Sequence, residues 1–377
     1  MLRDITQWLA KDGHEVEVIT AQPSYKPDAK IPKQPRQEVI EGVTIRRVAL
    51  LPENGPGAMK IINTALFLIS AFFICLFGKK RDVIWAGTTP PVVQAFTMSL
   101  AAKIRGAKFL YQMQDIYPEI AMVSGEISKF FPVKLFRAMD GFTLKNAAAV
   151  TVLSQDMADA IQARGVKNTH VSFINNFTLV DNDMSKSQSV RPPLAKGEPA
   201  VFIFAGNVGR FQNLTAVLEA FRLVDPKDAI LRIIGEGRAK AELMAFADKH
   251  DMTHVIFEDY MASERVFEEM KKCHIGLVSL APKIVKFAFP SKVLTYMAAD
   301  LPMLALVEDD SSLSGLLKER HIGMNVDWSR GSEELAAAIS SLAAQARNNT
   351  MHPAAEIDIY HQSAAREKWL SLFREFS

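Results

Sequence analysis

Short apolar, β-branched runs alternate with helix-length spacers through the first half of the chain. Each run predicts a buried strand of a parallel sheet, because such strands are covered on both faces. The spacers, including residues 91–105 and 136–147, are long enough for crossover helices. The alternation therefore predicts a doubly wound α/β domain. The predicted strands span residues 14–20, 82–85, 108–111, 149–153 and 171–174.

A second alternating series follows an interruption. Between residues 179 and 197 the pattern lapses into Asp, Ser and Lys with a Pro192-Pro193 pair, which is typical of an interdomain linker. We expect one Rossmann-like domain over residues 1–185, a linker over 186–198 and a second Rossmann-like domain from residue 199. Two such domains leave a cleft, because ligands of these sheets bind outside the carboxyl ends of the strands. The second set of predicted strands spans residues 200–205, 229–234, 255–257, 275–278 and 303–306.

The first residues differ from the usual opening of such a domain. A doubly wound unit begins with a strand and a tight glycine-containing turn, whereas residues 1–11 predict an amphipathic helix leading into the run at 14–20. We therefore expect the first strand of the N-terminal domain to be missing from this sequence.

One segment, residues 61–77, is apolar enough to raise the question of a membrane. It is interrupted by Asn63, Thr64 and Ser70 and followed by three basic residues at 79–81. A buried crossover helix is one interpretation, and a monotopic helix with its basic end at the lipid headgroups is the other. The charge distribution is compatible with the second, because residues 1–190 hold 22 Lys and Arg against 17 Asp and Glu.

Composition narrows the function classes. The 377 residues are 49% hydrophobic and 23% charged with a net charge of +2, which disfavours nucleic acid as the main ligand. Only two cysteines, Cys75 and Cys273, occur, and no secretory signal pattern opens the sequence, so a cytoplasmic location is expected. The eight histidines form no metal-binding motif, and neither a Walker loop nor a Gly-x-Ser-x-Gly elbow is present. We expect no metal and no cofactor.

Two segments predict phosphate binding. The first runs from Gly206 through Asn207, Gly209 and Arg210 between a strand and a helix, where backbone N–H groups can approach an anion. In the second, residues 289–292, Ser291 follows Pro290 as a predicted N-cap, and Lys292 lies in the first helical turn, where the dipole disfavours a cation unless an anion is near. A tight turn and a solvated lysine are the simpler alternatives. A diphosphate held between Lys292 and Arg210 explains both segments together.

Further residues are candidates for the two sides of the cleft. Gly235 and Glu236 follow a predicted strand in half of a dinucleotide fingerprint, which makes NAD unlikely but suits the rim of a nucleoside pocket. Phe257, at the end of the next strand, could flank a base. Asp115 follows the strand at 108–111, so it could orient an acceptor or sugar hydroxyl. Alternatively, Asp115 caps the next helix and Glu119 faces solvent.

Together these segments resemble the family 4 glycosyltransferases with the GT-B fold, particularly the branch that includes fucosyl-aminosugar and colanic-acid transferases of bacterial surface polysaccharides. The resemblance covers nearly the whole chain, and Pro-Ser-Lys before Tyr-Met-Ala-Ala is its most specific part. The residues that carry it are Trp8-Leu9-Ala10-Lys11-Asp12-Gly13-His14-Glu15-Val16, Thr89-Pro90-Pro91, Asp115-Ile116-Tyr117-Pro118-Glu119, Gly206-Asn207-Val208-Gly209 and Pro290-Ser291-Lys292 with Tyr296-Met297-Ala298-Ala299.

The resemblance implies a retaining, metal-independent transferase. It places a UDP- or GDP-sugar donor on the C-terminal domain, over residues 199–355, and the acceptor on the N-terminal domain. It also implies that residues 356–377 form a helix crossing back to the first domain. The acceptor would be a polyprenyl-pyrophosphate-linked saccharide at the inner face of the cytoplasmic membrane.

The sequence departs from the family pattern at three positions. Many members carry two glutamates eight residues apart in the donor loop, where this chain has Phe287 and Thr295. Thr295 can still hydrogen-bond a ribose, whereas Phe287 cannot bind a sugar hydroxyl. Asp300 replaces the usual glycine after Ala-Ala. Two other functions therefore stay open, namely a non-catalytic, membrane-associated partner subunit of a glycan assembly complex and a nucleotide-sugar epimerase.

Overall fold

A computed structural model describes residues 1–22, 33–51, 58–123, 130–165, 170–177, 194–195, 197–348, 350 and 360–376, without the side chains of Ala58 and residues 130–132. The predicted linker at 186–198 and its boundaries lie largely outside these residues. The strands of the first half are β1 Val16–Ala21, β2 Gln37–Ile40, β3 Val43–Val48, β4 Val83–Ala86, β5 Lys108–Gln112, β6 Ala149–Val152 and β7 His170–Phe173. Its helices are α1 Leu2–Lys11, α2 Ala58–Phe77, α3 Val93–Arg105, α4 Glu119–Val123, α5 Phe130–Asn146 and α6 Gln155–Gln162.

The first-half strands form two sheets. Strands β4, β5, β6 and β7 pair in that order, all parallel. The other sheet has the order β1-β3-β2, with β1 parallel and β2 antiparallel to β3. A cavity of about 940 Å³ lies between β1 and β4, bounded also by α1 and α2. Two salt bridges, Lys79–Glu15 and Arg81–Glu17, connect the amino-terminal ends of β1 and β4 at one end of this cavity.

Helix α2 follows β3, precedes β4 and packs against α3. It is the one described helix long and apolar enough to cross a membrane by length and composition, with a mean hydropathy of 2.1 over Met59–Phe77. Leu68, Ala71 and Cys75 are buried, whereas Ile69 and Phe73 are about half exposed. The expectation of a buried crossover helix is therefore wrong for one face, since only 22% of this segment is buried.

The second half has one six-stranded parallel sheet. Its order β10-β9-β8-β11-β12-β13 is the doubly wound order in which the crevice opens between the first and fourth strands, here β8 and β11. The strands are β8 Ala200–Ala205, β9 Ala229–Ile234, β10 Val255–Glu258, β11 Ile275–Ser279, β12 Met303–Leu306 and β13 Gly323–Val326. The helices are α7 Leu214–Phe221, α8 Lys240–Lys249, α9 Ser263–Lys271, α10 Lys292–Ala298, α11 Ser312–Arg320 and α12 Gly331–Arg347.

The last helix, α13 Gln362–Phe376, packs on the first half of the chain. Its Trp369 stacks near Trp85 of β4 with ring centroids 5.1 Å apart, and both belong to a core that includes Ile5 of α1. The guanidinium of Arg374 in α13 also bonds the Asp12 carboxylate. These contacts hold the end of the chain against its start.

The predicted α/β fold class, two Rossmann-like domains in tandem, is confirmed. Ten of the strands lie where the apolar runs predict them. Three do not correspond to any predicted run, namely β2, β3 and β13.

Candidate active site

Two glycine turns lie side by side at the carboxyl ends of β8 and β9. Gly206 and Gly235 have φ values of +140° and +141°, which favour glycine. A Cβ on Gly235 would lie 2.0 Å from the carbonyl oxygen of Gly206, and one on Gly237 would lie 2.1 Å from that of Val208. The turns therefore depend on glycine for direct backbone packing, with the Val208 amide donating to the Glu236 carbonyl at 2.9 Å.

The Gly206 turn continues into a short 3-10 helix, Arg210–Gln212, before α7. Gly209 precedes this helix and Asn213, with φ +43°, ends it. The side chain of Arg210 is exposed and makes no hydrogen bond or ion pair with the described residues. Its guanidinium is available to an anion at this edge of the sheet.

Lys292, the first residue of α10, reaches the same turn from the other side of the crevice. Its Nζ donates to Gln212 Oε1 at 2.7 Å and lies 3.9 Å from the centroid of the Phe204 ring. Its Cε would lie 3.9 Å from a Cβ on Gly206. Burial lowers the pKa of the Lys292 ammonium to about 7, because no carboxylate compensates its desolvation. Sequence reasoning missed Gln212, which stands 80 positions away from its partner in the chain.

Tyr296 fixes α10 against the sheet, one helical turn after Lys292. Its buried Oη accepts the Ala205 amide at 3.2 Å and lies 3.0 Å from the Ile203 carbonyl oxygen. A Cβ on Gly276 would approach the ring to 2.6 Å, so β11 needs glycine there. Tyr296 therefore sets the position of Lys292 relative to β8, a role that the sequence motif alone does not reveal.

The remaining donor-loop candidates lie around Lys292. Ser291 occupies the predicted N-cap position, but its exposed side chain makes no capping hydrogen bond. The Pro290 carbonyl accepts the Val293 amide at 3.1 Å, which forms the first turn of α10. Thr295 lies one turn further along the same helix and is partly buried.

The predicted nucleoside-side residues have different surroundings. The Glu236 carboxylate accepts from Lys240 Nζ at 2.7 Å, and the same ammonium lies 3.0 Å from Asp259 Oδ1. Phe257, on β10, is partly buried against the core of the second half. The structure therefore joins Glu236 to the Gly206 turn through the backbone, but shows no contact that joins Phe257 to Lys292.

Asp115 lies across the crevice on the loop after β5 and meets the donor loop. Asp115 forms an isolated antiparallel bridge with Ala288, and the Ile116 amide donates to the Phe287 carbonyl at 2.8 Å. Burial raises the pKa of the Asp115 carboxyl. Asp115 therefore meets the donor loop at Ala288, which lies two residues before Pro290 and four residues before Lys292.

A second pair of contacts joins the two halves. The Ser312 amide at the start of α11 donates to the Asp156 carboxylate at 2.9 Å, and the Asp156 amide donates to Ser312 Oγ at 3.3 Å. Each residue therefore satisfies an amide in the first turn of the other's helix.

No group of three or more His, Cys, Asp or Glu side chains in the described part of the chain could hold a metal ion. Lys292 and the backbone of the Gly206 turn lie together at the crevice between β8 and β11, and the exposed Arg210 belongs to the same turn. Such groups can neutralise an anion and hold its oxygens through hydrogen bonds.

Comparison with known proteins identifies the class. Residues 1–176 match the family described as Glycosyl transferase 4-like domain, and residues 199–345 match Glycosyl transferases group 1. The fold and these matches define a glycosyltransferase of the GT-B class. More narrowly, the chain belongs to the family 4 glycosyltransferases of bacterial surface polysaccharide synthesis, as its motifs predict.

Individual relatives agree with this family. The putative colanic acid biosynthesis glycosyl transferase WcaI of Escherichia coli (strain K12) is 27% identical over 371 residues, covering 92% of this chain and 89% of that protein. Among solved structures, sucrose-phosphate synthase from Thermosynechococcus elongatus aligns with a TM-score of 0.69 at 16% identity over 99% of this chain and 92% of its own. Anabaena HepE in complex with UDP-glucose aligns with a TM-score of 0.60 at 15% identity. The alignment covers 89% of this chain and 86% of HepE.

Proposed function

We propose that the chain is a retaining, metal-independent hexosyltransferase that moves a sugar from a UDP- or GDP-sugar to a lipid-linked saccharide. It would act in the cytoplasm, at the inner face of the cytoplasmic membrane. The observation that carries the donor half of this proposal is the Lys292 ammonium beside the Gly206 turn, where it has a neutral amide and a ring as partners but no carboxylate.

The electrostatics support a diphosphate as the missing anion. A partly buried ammonium with a pKa near 7 gains most from a counterion, because binding an anion restores its charged form. Arg210, exposed and two residues before Gln212, supplies a planar fork for a second phosphate oxygen. HepE, a structural neighbour, was solved with UDP-glucose, which supports a nucleotide sugar as the ligand class.

In the proposed mechanism the acceptor attacks the anomeric carbon on the face that the diphosphate leaves. Lys292 and Arg210 stabilise the charge that develops on the leaving diphosphate. The departing phosphate oxygen takes the proton of the acceptor hydroxyl. Asp115, which contacts the donor loop at Ala288, orients an acceptor or sugar hydroxyl.

Phe287 sets a limit on how the sugar is held. Its ring packs against the core and its carbonyl accepts from Ile116, so it offers no side-chain hydrogen bond to a sugar hydroxyl. We infer that donor binding depends more on the diphosphate than on the sugar. Thr295 is the proposed ribose contact on this side of the crevice.

The experiment is a panel of UDP- and GDP-hexoses incubated with polyprenyl-pyrophosphate-linked saccharides, with release of nucleotide and lipid-linked product both measured. Lys292→Ala and Arg210→Ala should each reduce turnover by at least about tenfold, as loss of a charge-stabilising donor does. The control is Lys286→Ala, because Lys286 lies in the same loop but pairs with Asp310 at 3.3 Å. Turnover within about twofold of wild type in both test variants would refute the site.

The same panel separates the other functions. A non-catalytic partner subunit would bind neither UDP nor GDP in calorimetric titrations. An epimerase would release an epimer or free sugar without any acceptor.

The membrane part of the proposal rests on α2. Exposed apolar side chains of α2 face outward, with Ile61 72% and Phe77 76% exposed, and Lys79 follows the helix. An exposed apolar stripe beside basic residues suits an anionic lipid surface. We expect the double variant Ile69→Asp/Phe73→Asp to lose co-flotation with vesicles containing phosphatidylglycerol. The control is Leu223→Asp, at a position 52% exposed in the second half, which should bind the vesicles as wild type does. Equal vesicle binding by wild type, the double variant and Leu223→Asp would contradict a role for α2.

A further inference from the structure

Arg164 is the centre of a charged cluster away from the phosphate-binding residues. It follows α6, and its side chain is only 19% exposed. It donates to the carboxylates of Asp140 and Glu119, and its Nη2 also donates to the Tyr117 carbonyl at 3.1 Å. One side chain therefore holds acceptors from α5, from the first residue of α4 and from the loop before α4. The alternative in which Glu119 merely faces solvent is wrong.

The cluster also reaches the strand before that loop. Asp140 is 1% exposed and accepts the Tyr111 hydroxyl of β5 at 3.0 Å. Burial raises the pKa of Asp140, and the charge of Arg164 acts against that rise. The loop of residues 114–118 is therefore fixed at both ends. Before the loop, Tyr111 is bonded to Asp140, and at its end Arg164 bonds the Tyr117 carbonyl and the Glu119 carboxylate.

This loop makes the backbone contact between the two halves of the chain. The Ile116 amide donates to the Phe287 carbonyl at 2.8 Å, and the Ile116 side chain is fully buried. The bonded segment at 287–288 leads within four residues to Lys292. A displacement of the Arg164 end of the loop would therefore move the contact that aligns Asp115 with the donor loop.

Stability alone does not account for such a cluster. A buried ion pair is often no better for stability than apolar side chains of similar volume, because its desolvation offsets its attraction. The forked geometry of arginine, in contrast, can fix several acceptors in one arrangement. Arg164 also donates to the Tyr117 carbonyl, a bond that fixes the position of the loop backbone and is not required for neutralising the two carboxylates.

We propose that Arg164 is a positioning residue for glycosyl transfer, which holds the loop of residues 114–118 in the register that meets residues 287–288 of the donor half. This inference deepens the proposed function, because it rests on the role given there to Asp115 in the crevice. Arg164 itself bonds Asp140, Glu119 and Tyr117, none of which is proposed to contact the donor or the acceptor. Its effect is on the alignment of the two half-sites.

The test compares Arg164→Met with Arg137→Gln. Arg137 bonds the same Glu119 carboxylate through Nε at 3.2 Å, but its side chain is 54% exposed, so it is a matched control for loss of a charge beside Glu119. Hydrogen exchange of residues 114–118 and 286–289 is measured for both variants, with UDP affinity by calorimetry. Steady-state kinetics use whichever donor the panel identifies.

We expect Arg164→Met to increase exchange in both segments at least about fivefold relative to the control, because the contact between them is loosened. We expect kcat to fall at least about tenfold while the donor KM and the UDP dissociation constant stay within about twofold, since misalignment acts on the reacting geometry. Arg164→Lys, which keeps the charge without the fork, should lie between wild type and Arg164→Met.

Equal exchange at 286–289 in Arg164→Met and the control, or a kcat within about twofold of the control, would overturn the proposal. If Arg164→Met fails to fold because Asp140 is left unpaired, Arg164→Met/Asp140→Asn removes that charge and carries the same test. If no donor in the panel is turned over, the proposed function fails, and with it the part of this proposal that concerns transfer, whereas the exchange measurement still decides whether Arg164 holds the loop of residues 114–118 against residues 287–288.

Discussion

The pH dependence of nucleotide binding provides a sensitive test of the Lys292 site. Burial lowers the pKa of the Lys292 ammonium to about 7 in the free protein, from an ordinary value of 10.5. A bound diphosphate favours the charged form and raises this pKa again. Binding should therefore take up a proton, and the affinity should fall as the pH rises above about 7.

The size of the effect follows from the fraction of protein that is protonated. With a free pKa of about 7, that fraction is about one half at pH 7 and about one hundredth at pH 9. If only the ammonium form binds, the dissociation constant for UDP rises about 50-fold over this interval, which corresponds to about 2 kcal/mol. The uptake of protons on binding should be about 0.5 per site at pH 7 and about 0.9 at pH 8.

Isothermal titration calorimetry of UDP and GDP in buffers of different ionisation enthalpy measures both quantities. The range from pH 7 to pH 9 lies above the last phosphate ionisation, near pH 6, so the charge on the phosphates of the ligand stays nearly constant. Lys292→Met should bind more weakly at pH 7 and show almost no dependence, and Lys286→Ala should keep the wild-type slope. A wild-type affinity that is constant across this range, with no proton uptake, would refute the assignment.

Three further predictions concern stability, measured by denaturant unfolding. The pKa of Lys292 is lower in the folded than in the unfolded chain, so the free energy of unfolding of wild type relative to that of Lys292→Met should rise from pH 7 towards pH 10; parallel curves would contradict this. Tyr296→Phe leaves buried backbone groups unpaired and should cost about 1–3 kcal/mol; an unchanged midpoint would count against it. Gly235→Ala places a Cβ 2.0 Å from the Gly206 carbonyl oxygen and should lower the free energy of unfolding by about 3 kcal/mol or more. Gly315→Ala lies in helix α11, where a Cβ would have nothing within 4 Å, and should raise the free energy of unfolding by about 0.5–1 kcal/mol. Equal effects of the two alanines would show that the turn tolerates a side chain.

Most of the fold could be predicted because the parallel strands are buried on both faces. The run at Ala200–Ala205 is apolar throughout and has no competing helical period. In contrast, β2 and β3 belong with β1 to the small three-stranded sheet, where Arg46 and Arg47 interrupt the apolar pattern of β3, and β13 contains Asn325. Their strand form depends on pairing with neighbours, a tertiary effect that local pattern does not contain.

The site was predictable in its positions but not in its bonds. The motifs placed Gly206 and Lys292 at one sheet edge, because the ends of parallel strands meet there. The contact of Lys292 with Gln212 depends on how α10 lies on the sheet, which Tyr296 determines through three backbone groups. The bond between Ile116 and the Phe287 carbonyl likewise joins two domains, and no periodicity encodes it.

A crystal structure with bound UDP or GDP would test the diphosphate site most directly. We predict that a phosphate oxygen lies within hydrogen-bond distance of Lys292 Nζ, about 3 Å, and that it displaces or shares the bond now made to Gln212 Oε1 at 2.7 Å. The diphosphate should also contact the backbone of Gly206. A nucleotide bound elsewhere, with the bond between Lys292 and Gln212 intact and no phosphate beside it, would contradict the proposed donor site.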